Sequence, residues 1–292
     1  MALLSLLQKF SIFNSQFSIF NLNIYLCIHI MKVMNIREII DALERFAPLP
    51  LQDDYDNSGL QVGTTETEVS GVLLCLDVTR QVVDEAIRNG CNMIVSHHPL
   101  LFRPLKKLTD DNIGSIVIDA VRAGITIYAS HTNLDNASKG VNLRIAQILG
   151  LTSVKPLDEQ PDGNGAGIIG LFKEPMTEQE LLALIKDKFG VTCIRHNREL
   201  GRLIKRMAVC GGAGAFLADK AVEQGADAFM TGEIGYHRFF GYDGVIKLIE
   251  TGHFESEQFT VDLIADILKE SFPELKVIKT ANKTNPINYY IG

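Results

Sequence analysis

Residues 72–99 read VLLCLDVTRQVVDEAIRNGCNMIVSHHP, and this stretch decides how the chain folds. The run 72–76 is short, continuous and apolar, as expected of a strand buried on both faces. Apolar residues then recur at helical spacing from 79 to 89, and Gly90 stands where a left-handed residue ends a helix. A second apolar run, 93–95, predicts the next strand, which leads into Ser96-His97-His98-Pro99. Strand, helix, glycine stop, strand is the unit of an α/β architecture.

The same unit recurs 135 positions later. Cys75 aligns with Cys210, Asp84 with Asp219, Ala86 with Ala221, Gly90 with Gly225 and Ser96 with Thr231. Apolar character agrees at Ile87 and Val222, Ile94 and Phe229, Val95 and Met230. The reading is of two similar lobes, each a mixed, largely parallel sheet flanked by helices, with a site between them. The strand ends meeting there would be His97-His98 and Gly232-Glu233.

The rest of the chain fits this pattern. A helix is expected over 35–46, a polar loop over 53–63, a helix over 113–122 and a strand over 125–129. A helix over 141–149 is stopped by Gly150. Residues 156–167, rich in Pro, Asp and Gly, read as the linker, so 34–155 forms lobe 1 and 156–292 lobe 2. A strand over 168–172 follows, then a helix over 177–189 opened by Thr177 and Glu180 at capping-box spacing. Strands at 191–195, 207–210, 228–230 and 245–249, a helix ending at 224 and one long helix over 254–271 complete it.

Residues 1–33 are of another kind. Phe10-Ser11-Ile12-Phe13-Asn14 repeats as Phe17-Ser18-Ile19-Phe20-Asn21, and the segment has no acidic residue. Asn14, Ser15, Gln16, Asn21 and Asn23 break its apolar runs below the length of a membrane span. It also lacks the charged start and small-residue cleavage site of a signal peptide. It is read as a non-native or disordered extension, with initiation expected at Met31 or Met34. A real membrane role for it is the alternative.

The 292 residues include 28 Lys and Arg against 35 Asp and Glu, a net charge of −7. No basic surplus supports a nucleic-acid binder. The five cysteines include no CxxC pair and read as free thiols of a reducing, cytoplasmic compartment.

Ligands of open α/β sheets bind beyond the carboxyl ends of parallel strands. Five of the seven histidines stand at such exits: His97 and His98, His131, His237 and His253. Asp135 follows His131. His253 and Glu257, four apart at a helix start, project from one helix face, and Val261, Ile264 and Leu268 continue it inward. Adjacent His97 and His98 point opposite ways, so they suit two ions better than one. Imidazoles and carboxylates without thiolates suit zinc, manganese or iron. Each of these residues also has a plain structural reading: Asp135 as a helix cap, His131 as a core residue, Glu257 in a solvated first turn.

Asp56-Asn57-Ser58-Gly59-Leu60-Gln61-Val62-Gly63, Ser96-His97-His98-Pro99, His131-Thr132-Asn133-Leu134-Asp135, Gly232-Glu233 with His237, and Gly252-His253-Phe254-Glu255-Ser256-Glu257 occur in that order. As a set over 34–292 they resemble the Nif-three-like family, whose members carry the label GTP cyclohydrolase I type 2 homolog. Two departures stand out. His237-Arg238 replaces the family's double His, and the chain length implies that the mid-chain domain of longer members is absent. The resemblance implies a dinuclear metal site with two divalent ions per chain. His98 and Asp135 would hold one, His97 and His253 the other, and Glu257 would bridge them. His131 and Glu233 would lie beside them as supporting or proton-transfer groups. It also implies a ring-shaped homohexamer.

The leading functional expectation is metal-assisted hydrolysis of a nucleotide or related phosphorylated compound. Gly211-Gly212-Ala213-Gly214, or Arg103, Lys106 and Lys107, would meet its phosphates. A non-catalytic metal-binding, metal-delivery or scaffold protein is the alternative. Nucleic-acid processing inside a ring ranks third, set back by the acidic balance.

Overall fold

A computed structural model describes residues 34–290. The extension read at 1–33, with Cys27 and Met31, lies outside the described residues. Two mixed sheets build the fold.

The first sheet begins with helix α1 (Ile36–Phe46), which buries Ile36, Ile39, Ile40 and Leu43 on one stripe. Each such side chain taken from water contributes about 1.5–3 kcal/mol. Strand β1 (Gly59–Val62) comes next, then β2 (Val72–Cys75), helix α2 (Arg80–Arg88) and β3 (Met93–Ser96). Helix α3 (Asn112–Arg122), β4 (Thr126–Ala129), the short α4 (Thr132–Asn136) and α5 (Val141–Ile148) follow. Thr79 caps α2 by accepting from Val82 N–H, and Asp111 caps α3 by accepting from Gly114 N–H. Every residue of β2, β3 and β4 is buried, as their unbroken apolar runs require.

The second sheet is built from β5 (Thr152–Glu159), β6 (Gly165–Met176), helix α6 (Glu178–Phe189), β7 (Arg195–His196), β8 (Ile204–Cys210), α7 (Ala218–Glu223), β9 (Ala228–Thr231) and β10 (Lys247–Glu250). The Thr177/Glu180 capping box at the start of α6 is formed. Helices α8 (His253–Glu257) and α9 (Thr260–Ser271) then lead to β11 (Val277–Lys279), which adds to the first sheet beside β2.

The strand orders are β1-β4-β3-β2-β11 and β5-β6-β8-β9-β10-β7. The repeat of 135 positions holds in register. Val72 pairs with Met93 and Cys75 with Ser96; Met207 pairs with Ala228 and Cys210 with Thr231. Gly90 and Gly225, one period apart, both take positive φ, +62° and +70°, after their helices. Beyond the four parallel strands of the first sheet (β4, β3, β2 and β11) and the three of the second (β8, β9 and β10) lies an antiparallel strand, β1 on β4 and β7 on β10. Each sheet has its own apolar core, one around Leu73, Ile94 and Ile127, the other around Ala208, Phe229 and Leu248. The two similar α/β lobes are thus present, each a mixed sheet flanked by helices.

Four local readings change. The polar loop expected over 53–63 contains β1, whose Leu60 is exposed at a sheet edge and so hid the strand pattern. The linker expected over 156–167 is a hairpin of β5 and β6. Pro156 sits in β5, an edge strand, where a missing N–H is tolerated. The strand over 191–195 shrinks to Arg195–His196, since only these residues pair with β10. The long helix over 254–271 breaks at Gln258 and Phe259. The Gln258 side chain donates to Glu255 O and Phe189 O, entering the ladder where the helix bends, while Phe259 packs edge-on to Phe189. No helix of the described residues is long and apolar enough to cross a membrane.

Candidate metal centre

Between the two sheets, parallel strand ends and helix α8 bring four imidazoles together. His97 and His98 leave β3, His131 leaves β4, and His253 opens α8 after β10. Each offers its Nδ1 to a fixed partner. Nδ1 of His97 donates to the Ser130 carbonyl at 2.8 Å, which sets its tautomer. Nδ1 of His98 lies 2.7 Å from Asp77, that of His131 2.7 Å from Asp56, and that of His253 2.7 Å from Glu233. All four rings therefore turn Nε2 toward the space between the lobes. Carboxylate or carbonyl support of this kind is what orients metal-binding imidazoles.

Glu257, at the end of α8 and buried, stands at the centre. Its Oε2 lies 3.0 Å from His98 Nε2 and 3.1 Å from His253 Nε2, and its Oε1 lies 3.7 Å from His97 Nε2. Asp135 Oδ1 lies 3.6 Å from the same His97 nitrogen. Two triads result: His97, Asp135 and Glu257, and His98, His253 and Glu257, each with candidate ligand atoms within 4.8 Å of one another. His131 also offers a ligand atom within 4.8 Å of those of His97 and His98. The resemblance implied the opposite assignment, with His98 on Asp135 and His97 on His253. The geometry exchanges them, because the Ser130 carbonyl anchors His97 toward β4 and Asp77 anchors His98 toward α8.

The residues fit a divalent metal. His97 Nε2 and Asp135 Oδ1 are buried and have no hydrogen-bond partner, a costly state for two polar atoms facing each other. Electrostatics agree. Burial alone would lift the Glu257 carboxyl, but the His97, His253 and His98 imidazoles hold it well below the usual carboxylate range. Burial and the charge of Glu257 push Asp135 up to about 6. Burial opposes charge on His98, yet its bonds to Asp77 and Glu257 raise it to about 10. His253, likewise opposed by burial, is raised to about 9, chiefly by Glu257. Such a cluster of acids and bases is ready to exchange protons for cations.

Gly212 makes the centre possible. It takes φ +60°, and a Cβ there would stand 2.2 Å from Glu257 Oε1. The centre opens into a cavity of about 790 Å³.

Other expected residues fall elsewhere. Glu233 reaches the centre only through His253, and its side chain is more than half exposed. His237 is exposed, stacked on Phe240 away from the imidazoles. The glycine run is no phosphate cradle, since its three glycine amides are taken: Gly211 N–H by Asn142, Gly212 N–H by Ser256 and Gly214 N–H by Thr231. Arg103, Lys106 and Lys107 are exposed and off the cavity wall. The sequence reading overlooked Asp77 and Asp56 as orienting groups. Asp77 stands at the exit of β2, so the strand-end rule that found the histidines would have found it too.

The chain matches the Duf34/NIF3 (NGG1p interacting factor 3) family over residues 34–286. It is 38% identical over 262 residues to a GTP cyclohydrolase 1 type 2 homolog of Lactococcus lactis, an alignment covering 87% of this chain and 98% of the relative. A homolog of the same name in Clostridium perfringens is 35% identical over 242 residues, covering 81% and 92%. The crystal structure of Staphylococcus aureus protein SA1388 superposes with a TM-score of 0.83 at 27% identity, covering 89% of this chain and all of that one. Matched by the family over nearly all of its described residues, and similar in sequence and fold to these relatives, the chain belongs to the Duf34/NIF3 family.

Proposed function

We propose that this chain binds two divalent cations, zinc, iron or manganese, and uses them to hydrolyse a nucleotide or related phosphorylated compound. The observation that carries this reading is the buried pair His97 Nε2 and Asp135 Oδ1, both without partners, beside a Glu257 whose two oxygens face different imidazoles. His97 and Asp135 would hold one ion, His98 and His253 the other, with Glu257 shared. Two such ions, when bound, supply Lewis-acid polarisation and make water more acidic.

The chain's own groups do the rest. Asp56 carries the charge that supports His131. Burial opposes its ionisation, but bonds from His131, Thr132 and Ser58 hold it well below the usual range. His131 Nε2 takes a proton from water as the water oxygen bonds to the substrate, then returns it to the leaving group as that bond breaks. Glu233 positions His253 rather than reacting.

A cavity of this size beside a histidine–aspartate pair favours turnover over storage, since a metal store needs no room for a substrate. Metal analysis should give about two ions per chain at saturation, and a value near zero would end this reading. Glu257→Gln should lose both metal and turnover of GTP or of a phosphoester panel. A fully metallated protein inert toward the panel would favour the delivery or scaffold role. We further propose a homohexamer, on the family resemblance, and a cytoplasmic setting, supported by the free thiols Cys75, Cys91, Cys193 and Cys210. Light scattering checks the first and fractionation of the native host the second.

A further inference from the structure

We infer that the cavity accepts a flat aromatic ring bearing a single anionic group, and discriminates against polyphosphates; this rests on the hydrolase reading and narrows its substrate. Charge on the wall is the first argument. Seven carboxylates line the cavity, Asp53, Asp77 and Glu255 among them, against one Lys or Arg side chain among the described residues, Arg195. Even with two divalent cations bound, carboxylates would outnumber positive charges by two. A triphosphate brings several charges into that field, and the amides that would otherwise hold them are already bonded within the protein.

Arg195 is built to hold one anion. Its Nη1 donates to Glu250 Oε1 at 2.7 Å, and Glu250 is itself fixed through Oε2 by Ile234 N–H at 2.9 Å. The guanidinium lies 5.5 Å from the centre of the Phe239 ring. The side chain remains about half exposed, and its other N–H groups make no hydrogen bond to the described residues. A held, half-open fork suits one carboxylate or phosphate.

Aromatic side chains supply the rest. Phe102 lies 6.2 Å from the His131 ring, edge to face, and 6.3 Å from Tyr55. Phe102, Tyr55 and Phe216 all line the cavity, yet each is substantially exposed. Exposed rings beside a candidate base offer stacking surface for a planar ligand.

The test is calorimetric binding of guanosine, guanosine monophosphate and guanosine triphosphate to the metal-loaded full chain. The monophosphate should bind tightest, and the triphosphate at least tenfold more weakly. Arg195→Ala should weaken the monophosphate roughly tenfold, the scale of one charge-assisted bond, while sparing guanosine. Phe102→Ala should weaken all three, with circular dichroism confirming that both variants fold. Affinity that climbs from mono- to triphosphate, no binding by any of the three, or an Arg195→Ala loss equal for guanosine and its monophosphate, overturns the inference. If the same preparation still hydrolyses a non-aromatic phosphoester, the functional reading survives that failure.

Discussion

Gly212 and Glu257 divide a space that has no room for another carbon: a Cβ on residue 212 would lie 2.2 Å from the glutamate's Oε1. That oxygen is the one facing His97. Gly212→Ala should therefore push the carboxylate off its position and reduce metal content to one ion per chain or fewer. Gly90→Ala is the control. It has the same sign of φ but nothing within 4 Å, so it should cost about 1 kcal/mol of stability and no metal. Elemental analysis of both variants checks this; equal metal content in the two would refute the packing argument.

Protons and cations compete at the centre. His98 is raised to about 10 and His253 to about 9, so the metal-free chain holds protons on these imidazoles more tightly than free histidine does. Metal uptake must release protons and weaken as pH falls. The linkage has a second consequence for the metal-free chain. Raised imidazoles stabilise the fold fully below their unfolded value, about 6.5, and that contribution is lost as pH rises through 9 to 10. Metal-free protein should therefore lose stability in that alkaline window while loaded protein does not. Thermal denaturation from pH 6 to 10, with and without metal, measures it, and parallel curves would refute it.

Asp77 holds His98 by Nδ1 and receives the Thr284 hydroxyl on its other oxygen. Burial works against its charge, yet these bonds keep it below the usual range. Asp77→Ala should lower affinity at the His98 position about 10–100-fold, the usual effect of losing such support. His97 rests on Ser130, so its triad should hold its metal. Titration resolving two affinities would show one shifted and one not; a uniform loss would contradict separate support.

Away from the site, the ion pair of Glu178 and Lys247 is buried at 2.9 Å. Glu178 also accepts from Leu200 and Gly201 N–H. Burial opposes its charge, but these partners hold its carboxyl below its ordinary 4.5. A depressed carboxylate stabilises the fold above its unfolded value, and the contribution fades as pH falls through the folded one. Glu178→Gln should cost about 3–5 kcal/mol at neutral pH, by leaving Lys247 buried without a counter-charge. The loss should shrink in acid. Denaturant titrations at pH 7 and pH 3.5 decide it, and a pH-independent cost would count against this account.

Much of this architecture was legible in the chain. Buried parallel strands are unbroken apolar runs, and 72–76 and 93–95 announce themselves. Glycine stops and the Thr177 capping box are decided within four residues, so local reading succeeds there. Leu60 on an exposed edge and Pro156 on another gave no such signal, because edge strands need neither apolar faces nor every amide. The break at Gln258 depends on Phe189, some seventy residues away, and no window on the helix sees it.

The candidate site divides in the same way. The sequence alone placed the imidazoles and acids at strand exits, since a side chain that follows a buried parallel strand must emerge at the strand's carboxyl end. Only the tertiary structure decided which imidazole faces which acid. Ring orientation is set by the group that binds Nδ1, and for His97, His98 and His131 that group lies between 21 and 75 residues away along the chain. Hydrophobic periodicity reports which way a backbone segment is buried; the turn of a ring about its own bonds is fixed by hydrogen bonds that exist only once each lobe has folded.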